Sequence, residues 1–173
     1  MNRAQTEYVV ATLIVILLLI LFVPAALTAR AEVRDDLRRS DITNLKHAAE
    51  MFNNTYNFYP APPPGAPPCT SSGESDSWLF GSKSPLLEGQ HIDAIPHDVR
   101  EGHGHVYTYC ATEVRDGQAL GYYFEAQLEV EQADRVDLDE DETRNFHYRI
   151  LHDGNRILYR VCGGTEQQCT PAF

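Results

Sequence analysis

Residues Tyr8 to Ala29 read YVVATLIVILLLILFVPAALTA, with no charged side chain and no turn residue apart from Pro24. At ~1.5 Å per residue a helix of that length covers roughly 33 Å, enough to cross the hydrocarbon core of a bilayer. The run does not end in a loop. It passes without Gly or Pro into RAEVRDDLRRSDITNLKHAAEMFNN, Arg30 to Asn54. There Ile42, Leu45, Ala49, Phe52 and Tyr56 recur at alternating steps of three and four, which puts them on one face of a helix. A single helix from about Ala4 to Asn54, roughly 75 Å long, is therefore expected. Its first half suits lipid and its second half suits a protein core. Opposite charges, Asp35 or Asp36 with Arg39, are expected to pair along its outer faces. Pro24 lacks a backbone donor and crowds the preceding turn, so a kink or an unwound segment is expected over Phe22 to Ala26.

The helix should stop at NNTYNFYP, because Pro60 and the prolines behind it cannot continue it. Ala61 to Ser77, APPPGAPPCTSSGESDS, reads as an irregular loop. Trp78, Leu79 and Phe80 are expected to tuck onto the core, Pro85 to Gly89 to form a short helical turn, and Ile95 to Asp98 to turn the chain toward a sheet. Alternating patterns then mark strands at His105 to Thr112, Ala119 to Val130, Phe146 to Leu151 and Arg156 to Val161, the last two joined by an Asp153-Gly154 hairpin signal. The expected fold is α+β: a long N-terminal helix packed on an antiparallel sheet of about four strands. Its segments are a membrane-inserting half at 1–29, an amphipathic half at 30–54, an irregular stretch at 55–104 and the sheet with a C-terminal disulfide loop at 105–173.

Beyond the helix about 120 residues remain, enough for one small domain with its own core. The net charge of −11 argues against nucleic acid, whose phosphates call for basic surfaces. A solvated, solubilising surface accounts for most of the acidity. All four cysteines, Cys69, Cys110, Cys162 and Cys169, follow the apolar run, which points to disulfides in an oxidising, extracytoplasmic space. Of the three pairings open to four cysteines, Cys162–Cys169 with Cys69–Cys110 is favoured, the first closing the short loop CGGTEQQC. The apolar run exceeds the ~7–15 residues of a secretory signal, so retention is expected over cleavage near Thr28 to Arg30. Arg30, Arg34, Arg38 and Arg39 after the run, against Arg3 before it, would by charge alone leave the C-terminal side in the cytoplasm. The cysteines argue the opposite, and that orientation is adopted.

An acid at the start of an apolar helix, a proline inside it, an amphipathic continuation and a small C-terminal sheet resemble type IV pilins and type II secretion pseudopilins. The separation of Glu7 and Pro24, 24 − 7 = 17, equals the usual spacing in that family. DITNLKHAAEMFNNTYNFYP, Asp41 to Pro60, looks like the helix end of such proteins. The N-terminus departs from the usual leader, which ends in a basic residue and glycine. RAQTEY, Arg3 to Tyr8, looks more like archaeal class III pilin signals, in which cleavage falls between Ala4 and Gln5; a chain already mature, or never processed, is the alternative. The resemblance implies a structural subunit held in the cytoplasmic membrane and then polymerised into an extracellular filament or secretion pseudopilus. Glu7 would pair with the terminal amine of a neighbouring copy and set the axial register, and Pro24 would be a soft point for repacking. The implied partners are copies of the chain itself, the membrane before assembly, the pilus assembly machinery and a prepilin peptidase. The alternative is a monomeric, single-span, membrane-anchored binding or sensor module.

Asp134 to Glu142, DRVDLDEDE, packs six acids into nine residues. Hard oxygen donors such as Asp134, Asp137, Asp139 and Asp141 suit calcium, which some pseudopilins bind in a C-terminal acidic loop. The spacing is not that of an EF-hand, and a solvated hairpin loop is the plainer expectation. No cofactor is required; calcium is the ion this stretch could take. His103 and His105, near His97 and Asp98, could imitate a metal site, but surface histidines are the simpler reading. No GxSxG, P-loop, HExxH or Gly-rich dinucleotide turn occurs, so the chain is not expected to be an enzyme.

Overall fold

A computed structural model describes residues 3–130, 147–154 and 156–164 of the chain. Helix α1 spans Arg3–Tyr56, with Pro24 inside it. Helical backbone continues through Phe22 to Ala26, so the unwound segment expected there is absent. The helix tolerates Pro24 because only one amide donor, the one that would have reached the Ile20 carbonyl, is missing from a ladder held on both sides. Near the two ends of the apolar run Thr12 and Thr28 turn their hydroxyls back onto the carbonyls of Tyr8 and Pro24, at 2.8 and 3.1 Å. The helix stops where Asn57 adopts a left-handed backbone, φ +62°, and its N–H reaches the Asn53 carbonyl at 2.7 Å. Asparagine tolerates this conformation better than most residues, and Pro60 bars any continuation.

Strand β1, Cys69–Ser71, follows within the stretch expected to be irregular. Helix α2, Pro85–Glu88, begins at Ser84, whose hydroxyl accepts the Leu86 N–H. Strands β2, Tyr107–Arg115, β3, Gln118–Leu128, β4, His147–Asp153, and β5, Arg156–Gly163, complete the domain. All pairings are antiparallel and the order is β1-β2-β3-β5-β4, so the sheet has five strands rather than four. The fifth is β1, too short and too polar for alternation to mark. The β2–β3 turn uses Asp116 and Gly117, both at positive φ, a second Asp-Gly signal that matches the right-handed twist of its strands. In the β4–β5 hairpin Asp153 is the last paired residue, opposite Arg156, and the loop begins at Gly154.

The C-terminal half of α1 lies on one face of this sheet. Ile42, Leu45, Ala48 and Ala49 meet Tyr107, Tyr109, Tyr122, Phe124 and Val161 in one core that also takes in Leu79, Phe80 and Leu86. The expected stripe is buried from Ile42 to Phe52, whereas Tyr56 is 45% exposed at the helix end. Tyrosine hydroxyls fasten the helix to the sheet. Tyr107 donates to Asp41 at 2.7 Å and Tyr122 to Glu50 at 2.9 Å, while Tyr59 donates to Glu50 at 3.2 Å. Burial first, and the nearby Glu50 second, push the Tyr59 hydroxyl up to about 12, so it stays a donor at physiological pH. On the other face of the sheet, Cys69 and Cys110 stand directly opposite each other on β1 and β2 and form the expected disulfide.

Candidate functional site

Two features of α1 set it apart from an ordinary core helix. One is the segment from Val10 to Leu27. Its large apolar side chains are uncovered on every face, from Leu13 at 61% exposed to Phe22 at 67% and Leu27 at 59%. The helix is long and apolar enough to cross a membrane, and its most apolar stretch has none of its residues buried. A core helix of similar composition would be covered. This one presents apolar surface all round, which calls for lipid or other helices as its environment. Exposed apolar side chains continue past Ala29 to Val33 and Leu37, 60% and 52% exposed, on the side of the helix turned away from the domain.

The other feature is an ionic collar where α1 enters the domain. The buried face carries the three-four rhythm back beyond Ile42 through Arg38, Asp35 and Ala31, all buried. Arg38 is 1% exposed and is held by three carboxylates. Asp98 grips its Nε and Nη2, Asp35 meets Nη1 at 2.7 Å, and Glu129 meets Nη1 at 2.9 Å. Glu129 also accepts from Arg34 at 2.8 and 2.5 Å and from Arg100 at 2.8 Å. Asp35 accepts the backbone N–H groups of Glu129 and Val130 at 2.9 to 3.0 Å, capping the end of β3. Three guanidinium groups thus balance three carboxylates. Arg34 and then Arg38 hold the Glu129 carboxyl down to about 2. Burial works against ionisation of Asp98, but the hydrogen bonds of Arg38 and the Arg100 N–H overcome it and hold Asp98 below the usual carboxylate range. The same partners push Arg38 upward against its own burial.

The sequence places Asp35 with Arg39. The structure places it with Arg38, because position 38 faces the domain and 39 looks sideways. Arg39 does approach Asp36, at 3.9 Å. Collar residues Asp98, Arg100 and Glu129 were not anticipated. The continuing spacing 31-35-38-42-45-49-52 marks only Asp35 and Arg38 as members of the buried face, and their charge hides it.

Of the residues singled out from the sequence, Glu7 and Pro24 both lie on α1, and the side chain of Glu7 lies outside what is described. Cys69 and Cys110 are joined. Cys162 is disulfide-bonded as well, and its expected partner Cys169 lies outside the described residues. Asp134, Asp137, Asp139 and Asp141, the calcium candidates, also lie outside them. His97 faces Glu101 at 3.4 Å, and no group of three potential metal ligands occurs among the described residues. Chemically, the arrangement offers an uncovered apolar rod fixed rigidly to a disulfide-braced domain. The sequence matches no protein-family model and no curated protein, and the fold matches no solved structure.

Proposed function

We propose that the chain is a pilin-like structural subunit, without catalytic activity, that waits in the cytoplasmic membrane and polymerises through α1 into an extracellular filament or secretion pseudopilus. One observation carries this reading: a single helix is uncovered on every face in its first half and forms the core of a domain in its second. Packing such rods side by side would bury Val10 to Leu27 against other copies, and a head-to-tail contact that does not close yields a helical filament. Within such a bundle an unpaired Glu7 carboxylate would be costly, so the amine of a neighbouring copy is its natural partner. The assembly machinery and a prepilin peptidase are partners by resemblance alone.

A single-span anchored module shares the apolar helix. The exposure of Val33 and Leu37 favours the polymer. Leu37 lies ~12 Å of helix rise beyond Ala29, where an anchor would leave it in water and a bundle would cover it. Electron microscopy of material sheared from the cell surface tests the proposal. Filaments containing this chain are expected, and Glu7→Ala should abolish them. Surface material free of the chain, or a Glu7→Ala variant that assembles normally, would refute it.

A further inference from the structure

Between the proline-rich loop and the turn before α2 lies a cavity of about 530 Å³, whose lining includes Pro63, Ser75, Asp76, Trp78, Ser82 and Lys83. That volume falls in the range of small-ligand sites. Its loop is tied down. The Ser77 hydroxyl is hydrogen-bonded to Thr70 of β1 at 2.8 Å and accepts the Phe80 N–H at 3.1 Å. The Gly81 N–H closes onto the Ser77 carbonyl at 3.0 Å, and a Cβ on Gly81 would sit 2.5 Å from that oxygen. The cavity is therefore preformed by backbone geometry that only glycine permits at position 81.

Its chemistry is mixed in a specific way. The indole of Trp78 meets Tyr109 nearly at right angles, 83° at 5.5 Å, and no ring is stacked parallel to it among the described residues. Lys83 has no ion-pair partner among the described residues, although Asp76 lines the same cavity. An aromatic face is electron-rich and attracts the polarised C–H bonds on one face of a puckered saturated ring. A carboxylate and two serine hydroxyls can accept from and donate to neighbouring hydroxyl groups. An ammonium without a partner can take a carboxylate through charge-assisted hydrogen bonds. A purely apolar ligand would desolvate Asp76 and Lys83 without replacing their water.

We propose that this cavity binds a carboxylate-bearing saccharide, with the sugar ring on Trp78, its hydroxyls on Asp76 and the serines, and its carboxylate on Lys83. The site belongs to the domain's own loop and stands whether or not the chain polymerises. Trp78 is the only tryptophan in the sequence, so its emission reports this cavity alone. The full-length protein in detergent micelles is titrated with methyl glucuronide, with the neutral methyl glucoside and with acetate. A saturable emission change is expected for the glucuronide, with a dissociation constant on the order of a millimolar. The glucoside should bind about tenfold more weakly, and acetate should give no saturable change. Lys83→Met should remove the preference while the domain's melting temperature barely moves, because Lys83 is exposed. No saturable response, equal affinity for both glycosides, an acetate response matching the glucuronide's, or a preference that survives Lys83→Met would each overturn the assignment.

Discussion

Replacing Arg38 by Met removes the cation at the centre of the collar and keeps most of the side chain's volume. Asp98, Asp35 and Glu129 then lose their common partner. They are not stripped entirely: Arg34 and Arg100 still hold Glu129, and backbone N–H groups still reach Asp35 and Asp98. Breaking a buried pair by removing one member typically costs about 3–5 kcal/mol. For a domain of this size that corresponds to a fall in melting temperature of roughly 10–20 °C. The pH dependence sharpens the test. Because the folded Glu129 carboxyl titrates at about 2, below its ordinary value, its contribution is complete above about pH 4.5 and is lost as the pH falls toward 2. In the variant Asp98 and Glu129, no longer held down by Arg38, protonate at higher pH and shed their repulsion. The gap between wild type and variant should be full at pH 7 and narrow on acidification below about pH 4.5. Near-ultraviolet circular dichroism of the full chain in micelles is the assay, since the tyrosine-rich core reports domain packing while α1 dominates the far-ultraviolet signal. A melting shift under about 3 °C at pH 7, or a shift equal at pH 7 and pH 3, would refute the collar's role.

Cys69→Ala with Cys110→Ala opens a loop with a sequence separation of 41, which in the chain-entropy account should cost about 4 kcal/mol in denaturant titration. Gly163→Ala would place a Cβ 2.2 Å from the Tyr122 ring and 2.6 Å from Glu50, so a loss of about 1–3 kcal/mol is expected in the same titration. Leu37→Asp alters an exposed position, so the domain's stability should barely change, within about 0.5 kcal/mol, while filaments disappear from sheared material. Normal filament yield from that variant would count against the polymer.

Much of the fold can be read in the residues because its signals are periodic. The three-four stripe from Ile42 to Phe52 and the alternation around Tyr107 to Thr112 each reflect a face that must be buried, and burial writes itself into apolar spacing. Where a face is buried by charge, that code fails. Asp35 and Arg38 occupy the same stripe as Ile42, yet nothing local shows that Asp98 and Glu129 arrive from far along the chain to neutralise them. Strand β1 escaped for the opposite reason: three residues cannot show a period, and its pairing rests on a cysteine facing a cysteine. At Pro24 the local rule was right about the missing donor, but one lost bond does not unwind a long helix. The loop around Trp78 carried no motif; its cavity is shaped by segments apart in the chain, Pro63 on one side and a loop that Ser77 ties to Gly81 and Thr70 on the other.

The helix that carries the collar is synthesised before the strands it binds. Arg34 meets Glu129 across 95 positions, Tyr122 meets Glu50 across 72 and Tyr107 meets Asp41 across 66. At ~5–20 residues per second, a ribosome needs roughly 3–19 s to supply those partners. For that interval the stripe of α1 is finished but uncovered, and the guanidinium of Arg38 lacks the distant acids that later enclose it. Closing such long loops is slow, so the domain condenses late, around a helix already in place. A chain built this way is delivered to its apolar surroundings first and completes its tertiary structure afterwards, and errors in that order would strand a sticky, half-covered rod.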